Sequence, residues 1–65
     1  MTNDILAHQQ ALFAVIKEAE SQGIDVEDLV TEAKAKIIEG KYRIAEGHEI
    51  VTDSCDALDK AARRI

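Results

Sequence analysis

The chain has 65 residues, a mass of 7.2 kDa and a formal net charge of -5, with thirteen acidic side chains against eight basic ones. This length allows one small domain, 1–65. A domain of this size buries only about 60% of the surface that its unfolded chain exposes. We therefore expect oligomerisation to supply the missing burial. The acidic balance argues against a protein that neutralises nucleic-acid phosphates.

The same composition indicates a cytoplasmic protein. The longest apolar run, residues 11–16, is far shorter than the about 18 residues of a membrane span, and the first ten residues carry no basic and apolar signal pattern. A single cysteine, Cys55, forms no disulfide within the chain and fits a reducing compartment. We therefore expect neither a membrane segment nor secretion.

The first predicted element is an amphipathic helix over residues 3–21. Ile5, Leu12 and Ile16 lie on one helical stripe, which neighbouring apolar residues widen into a broad face. Gly23 then suits the backbone conformation that ends a helix, and Asp25 is a good N-cap. The sequence predicts a turn at residues 22–25 and a second helix that starts at Val26.

The rest of the chain repeats every seven residues. Each repeat opens with a large aliphatic side chain: Val30, Ile37, Ile44, Val51, Leu58 and Ile65. Such a repeat is typical of helices that pack along a seam. It predicts an all-α helical hairpin with one long C-terminal helix, in which Gly40 and Gly47 favour a kink or a break near 40–53. The predicted dimer-binding residues of a helical bundle are Ile37, Ile44, Val51, Leu58 and Ile65.

An alternative structure has a short β-hairpin at 41–52 within an α+β fold. It places a two-residue turn at Glu46 and Gly47 and a final helix over residues 54–64. Charge spacing favours the helix, because four acids each precede a base by four residues: Glu32 and Lys36, Glu39 and Arg43, Asp56 and Lys60, Asp59 and Arg63.

Acidic residues also recur every seven positions, beside the seam. Glu32, Glu39, Glu46 and Asp53 form a predicted acidic interaction face, which could bind a basic surface or imitate nucleic-acid charge. Two basic groups instead suit a helical dimer that binds RNA or DNA, and they comprise Lys34, Lys36, Lys41 and Arg43, then Lys60, Arg63 and Arg64.

Candidate catalytic chemistry is sparse. His48 and Cys55 are seven residues apart, about 10 Å along a helix, which is too far for an activated thiolate. No paired metal ligands and no glycine-rich phosphate motif occur. The sequence thus predicts a small acidic helical protein-protein interaction module, a regulator, adaptor or inhibitor without catalytic residues, metal or cofactor, whose partners are a second copy of itself and another protein.

Overall fold

The computed structural model describes residues 2–65, which form three α-helices: α1 (Thr2–Ser21), α2 (Val26–Glu39) and α3 (His48–Arg63). The all-α prediction is confirmed. The prediction of one long C-terminal helix is wrong, because a loop of residues 40–47 separates α2 from α3. The alternative β-hairpin at 41–52 is also wrong, since residues 2–65 contain no strand and residues 48–52 belong to α3.

The turn between α1 and α2 has the predicted form. Gly23 adopts a φ of 90° and its N–H donates to the Glu20 carbonyl at 2.9 Å, while the N–H of Ile24 donates to the Ala19 carbonyl at 3.0 Å. These two bonds form a Schellman motif, which satisfies the last carbonyls of a helix. Asp25 then caps α2, its carboxylate accepting from the Asp28 N–H at 3.0 Å.

The end of α2 has the same Schellman motif at Gly40. Its φ is 91°, its N–H donates to the Ile37 carbonyl at 3.1 Å, and the N–H of Lys41 donates to the Lys36 carbonyl at 2.9 Å. A residue with a side chain resists this left-handed conformation, so glycine allows the chain to leave the helix here. Gly40 therefore follows the end of α2, and of the two expected interruptions near 40–53, a kink or a break, the structure has the break.

Arg43 fastens the loop to the end of α2. Its guanidinium donates to the Ile37 carbonyl at 2.7 Å and to the Ile38 carbonyl at 2.9 Å, and it forms an ion pair with Glu46 at 3.2 Å. A cation at a helix C-terminus also complements the helix dipole. Gly47, with a φ of 122°, is the last loop residue before α3 and offers it no side-chain cap.

The core contains one well-buried residue from each helix: Ile16 of α1, Val30 of α2 and Ala61 of α3. Five half-buried residues surround it: Leu12, Val26, Leu58, Ala62 and Ile65. The third helix packs against both others, whereas α1 and α2 touch little. The helices α2 and α3 are antiparallel, because Val26 lies near Ile65 and Ile37 lies near Val51.

Candidate protein interface

Most of the predicted seam residues pack within the chain itself. Leu58 and Ile65 pack against the core, and Ile37 and Val51, both half-buried, line one small cavity of about 70 Å³ between α2 and α3. Ile44 borders that cavity from the loop, with its side chain fully exposed at 107%. Of the five residues predicted to bind a second copy, Ile44 is thus the one that the fold leaves fully open.

An exposed apolar surface surrounds Ile44. Tyr42, Ile44 and Ile50 border the same cavity and are 63%, 107% and 46% exposed, and we call these three residues the loop patch. The ammonium of Lys36 lies 5.4 Å from the centre of the Tyr42 ring, within the range of a cation–π contact. Sequence reasoning missed Tyr42 and Ile50, which fall outside the heptad positions.

The predicted acidic face is divided among three elements. Glu32 and Glu39 lie on α2, Glu46 in the loop and Asp53 on α3, and all four are exposed. The first three form local ion pairs: Glu32 with Lys36 at 4.0 Å, Glu39 with Lys41 at 3.3 Å and Glu46 with Arg43 at 3.2 Å. Their charge is therefore largely balanced by neighbouring bases.

The predicted helical ion pairs are replaced in part by others. The pair Glu32 and Lys36 forms, but Glu39 binds Lys41, and the carboxylate of Asp59 accepts from the Lys34 ammonium at 2.8 Å. This last contact joins α3 to α2. A sequence pattern can propose pairs four residues apart, but a pair between helices appears only once their packing is known.

The ion pair between Lys34 and Asp59 makes a testable contribution to alkaline stability. The hydrogen bond to Asp59 raises the pKa of Lys34 above its ordinary value of 10.5. Because the folded state holds this proton more tightly, the contribution is complete below pH 10.5 and is lost as the pH rises through the folded pKa. We expect the stability advantage of the native chain over Lys34→Met, measured by urea unfolding, to stay constant up to about pH 10 and to shrink between about pH 10 and about pH 12.

The matched control for that measurement is Lys41→Met, which removes an exposed ion pair with Glu39 at the longer distance of 3.3 Å. The difference in unfolding free energy between the native chain and this control should change little over the same pH range. Equal pH dependence in the native chain and Lys34→Met would contradict the interhelical pair.

A second concave surface lies between α1 and α3, and we call it the α1–α3 groove. Its cavity of about 180 Å³ is lined from α1 by Gln9 and Leu12, from α3 by Asp53, Asp56, Ala57, Lys60 and Ala61, and by Arg64, the C-cap residue of α3. None of its four charged side chains forms an ion pair with any other residue of the range 2–65. The pattern had suggested that Asp56 and Lys60 pair with each other along the helix.

The candidate reactive residues are dispersed or isolated. His48 and Cys55 border one open concavity, and Cys55 is a half-buried free thiol. The His8 ring is hydrogen-bonded to the Asp4 carbonyl at 2.7 Å. Within residues 2–65, no three side chains of histidine, cysteine, aspartate or glutamate converge as metal ligands do.

Comparison with known proteins yielded no family model that matches the chain, and no match among curated proteins or solved structures. In the described part of the chain, no helix has both the length and the apolar character that spanning a bilayer requires.

Proposed function

We propose that this chain is a small acidic helical interaction module, which acts as a regulator, adaptor or inhibitor by self-association and by binding another protein in the cytoplasm. The observation that carries the proposal is the surface that the folded chain leaves uncovered. The proposal assigns no catalytic residue and no cofactor.

The accessible surface is larger than a compact monomer should have. It measures 5051 Å², about 900 Å² more than the roughly 4,100 Å² expected for a folded monomer of 7.2 kDa. A standard protein interface buries about 800 Å² on each partner. One interface with a second copy is therefore of the right size to remove the excess.

The shape accounts for this surface. The molecule measures 33 × 29 × 17 Å and has a radius of gyration of 12.0 Å, against about 11 Å expected for 65 compact residues. The chain is therefore less compact than its length allows, and a second copy can cover surface that this shape leaves exposed.

The loop patch supports the binding of a second protein. Tyr42 and Ile44 are exposed on a loop that Arg43 and two glycines hold in a defined shape, and Ile50 lies beside them in the first turn of α3. Aromatic and large aliphatic side chains on a fixed loop form the kind of apolar contact that dominates protein interfaces.

The local charges favour this proposal over its two alternatives. An inhibitor that imitates nucleic acid needs unbalanced carboxylates, whereas Glu32, Glu39 and Glu46 are each paired with a base. A dimer that binds RNA or DNA needs a surface of free cations, but the first basic group is engaged by acids, through Lys34, Lys36, Lys41 and Arg43. In the second basic group, Lys60 and Arg64 share the α1–α3 groove with two aspartates, so they do not form a purely basic surface.

Sedimentation velocity over about 1–100 µM protein tests self-association. We expect the mass to rise above 7.2 kDa with concentration, towards that of a dimer. The midpoint of thermal unfolding should rise over the same range, because association stabilises the folded state by mass action. A monomer at every concentration, with a constant midpoint, would refute the proposal.

A further inference from the structure

From the α1–α3 groove we infer that a second copy of this chain docks there, with the two α3 helices antiparallel about a twofold axis near residues 58 and 59. This inference rests on the proposed self-association and names its surface. It starts from a helix face whose charges have no partner within the described chain.

The groove face of α3 has opposite charges at its two ends. Asp53 and Asp56 lie towards the N-terminal end, and Lys60 and Arg64 lie towards the C-terminal end. Residues spaced three and four apart on a helix share one face, so these four side chains face the groove together. Since none of the four forms an ion pair with another of residues 2–65, their charges are available to another molecule.

An antiparallel copy satisfies this face completely. With the twofold axis between residues 58 and 59, Asp53 of one copy lies opposite Arg64 of the other, and Asp56 lies close to Lys60. The axis repeats both pairs, so one interface contains four oppositely charged contacts. In a parallel arrangement, each aspartate would lie opposite the same aspartate of the other copy, and the like charges would repel each other.

The centre of the same face permits close contact. Ala57 is exposed and Ala61 is the buried core residue of α3, so the axis passes through a region of small side chains. The distance between two packed helices depends on side-chain size at their contact, and alanines allow a short one. Small residues here suit a second helix better than a small polar ligand, since they offer no hydrogen bonds.

Apolar surface continues beyond the groove and enlarges the interface. A neighbouring concavity shares Gln9 and Arg64 with the groove and adds Leu6 and Phe13 of α1. Leu6 is 56% exposed and Phe13 is half-buried. Together with Leu12 they give the apolar area that charge pairs alone do not provide.

Two charge-reversed variants and their mixture test the arrangement. One variant carries Asp53→Arg and Asp56→Lys, and the other carries Lys60→Glu and Arg64→Glu. Each alone presents like charges across the axis, so we expect the dissociation constant to rise at least about tenfold. Mixed in equal amounts, the two present a wholly basic and a wholly acidic face, and we expect a heterodimer that weakens with added salt.

The control reverses two acids outside the groove, Glu32→Lys with Glu39→Lys, and changes the net charge as much as the first variant. We expect it to dimerise like the native chain. Circular dichroism at 222 nm should show equal helix in all variants, because the exchanged side chains lie on the surface.

The outcomes separate the two proposals. A monomeric native chain refutes both self-association and this surface. A native dimer that persists in both charge-reversed variants, or two folded monomeric variants that do not associate when mixed, overturns the antiparallel α3 contact and leaves self-association standing.

Discussion

Replacing Leu58 by aspartate is expected to unfold the chain. Leu58 packs from α3 against the cluster of Ile16, Val30 and Ala61, which contains the three most buried apolar residues described. Losing the burial of a leucine costs about 1.5–3 kcal/mol, and placing a carboxylate against an apolar core adds several kcal/mol more. A single small core supplies only about 3–5 kcal/mol, so Leu58→Asp exceeds the available stability.

Circular dichroism at 222 nm and thermal unfolding check this prediction. We expect loss of most helical signal in Leu58→Asp, while Thr52→Asp, an exposed position of the same helix, keeps both signal and cooperative melting. The sequence repeat assigned Leu58 to a contact between copies, and from that assignment Leu58→Asp was expected to give a monomer or an unfolded chain. A helical, cooperatively melting Leu58→Asp would contradict the packing seen within the chain.

The first half of the fold could be predicted from local signals. The stripe of Ile5, Leu12 and Ile16 defines α1, and Gly23 with Asp25 defines the turn that follows it. Each signal acts over a few residues: a glycine adopts a left-handed conformation, and a carboxylate accepts from an N–H three positions on. Such signals do not depend on the rest of the molecule.

The second half was predicted wrongly because a long-range pattern outweighed a local one. Gly40 ends α2 with the same bonds that Gly23 uses at the end of α1, but it also lies within the seven-residue repeat, between Ile37 and Ile44. The repeat is compatible with two antiparallel helices as well as with one long helix. Ile37 and Val51 meet across the loop, so apolar residues fourteen positions apart in the sequence face each other within one chain.

The candidate interface could be predicted only in part. Ile44 was identified as a binding residue, and its exposure agrees with that role. Asp56 and Lys60 were interpreted as a pair within the helix, because the sequence does not show which face of α3 borders α1. Their availability depends on how the three helices pack, and α3 contacts both of the others.

Replacing Arg43 by alanine should destabilise the fold by about 2 kcal/mol, because hydrogen bonds that involve a charged group contribute about 1.5–3 kcal/mol. The guanidinium bonds the Ile37 and Ile38 carbonyls at 2.7 and 2.9 Å, and its side chain is only 23% exposed. We expect the thermal midpoint to fall by about 10 °C, measured at one fixed protein concentration.

Two further variants test whether the geometry of the Arg43 guanidinium, and not its charge alone, stabilises the loop. Lys41→Ala removes an exposed ion pair with Glu39 and should change stability by less than about 0.5 kcal/mol. Arg43→Lys keeps the charge, but a single ammonium cannot reproduce the planar fork that reaches two carbonyls, so it should recover less than half of the loss. Full recovery by lysine would show that charge near the α2 terminus suffices. If Arg43→Ala were as stable as Lys41→Ala, the loop would hold its shape through Gly40 and Gly47 without the arginine.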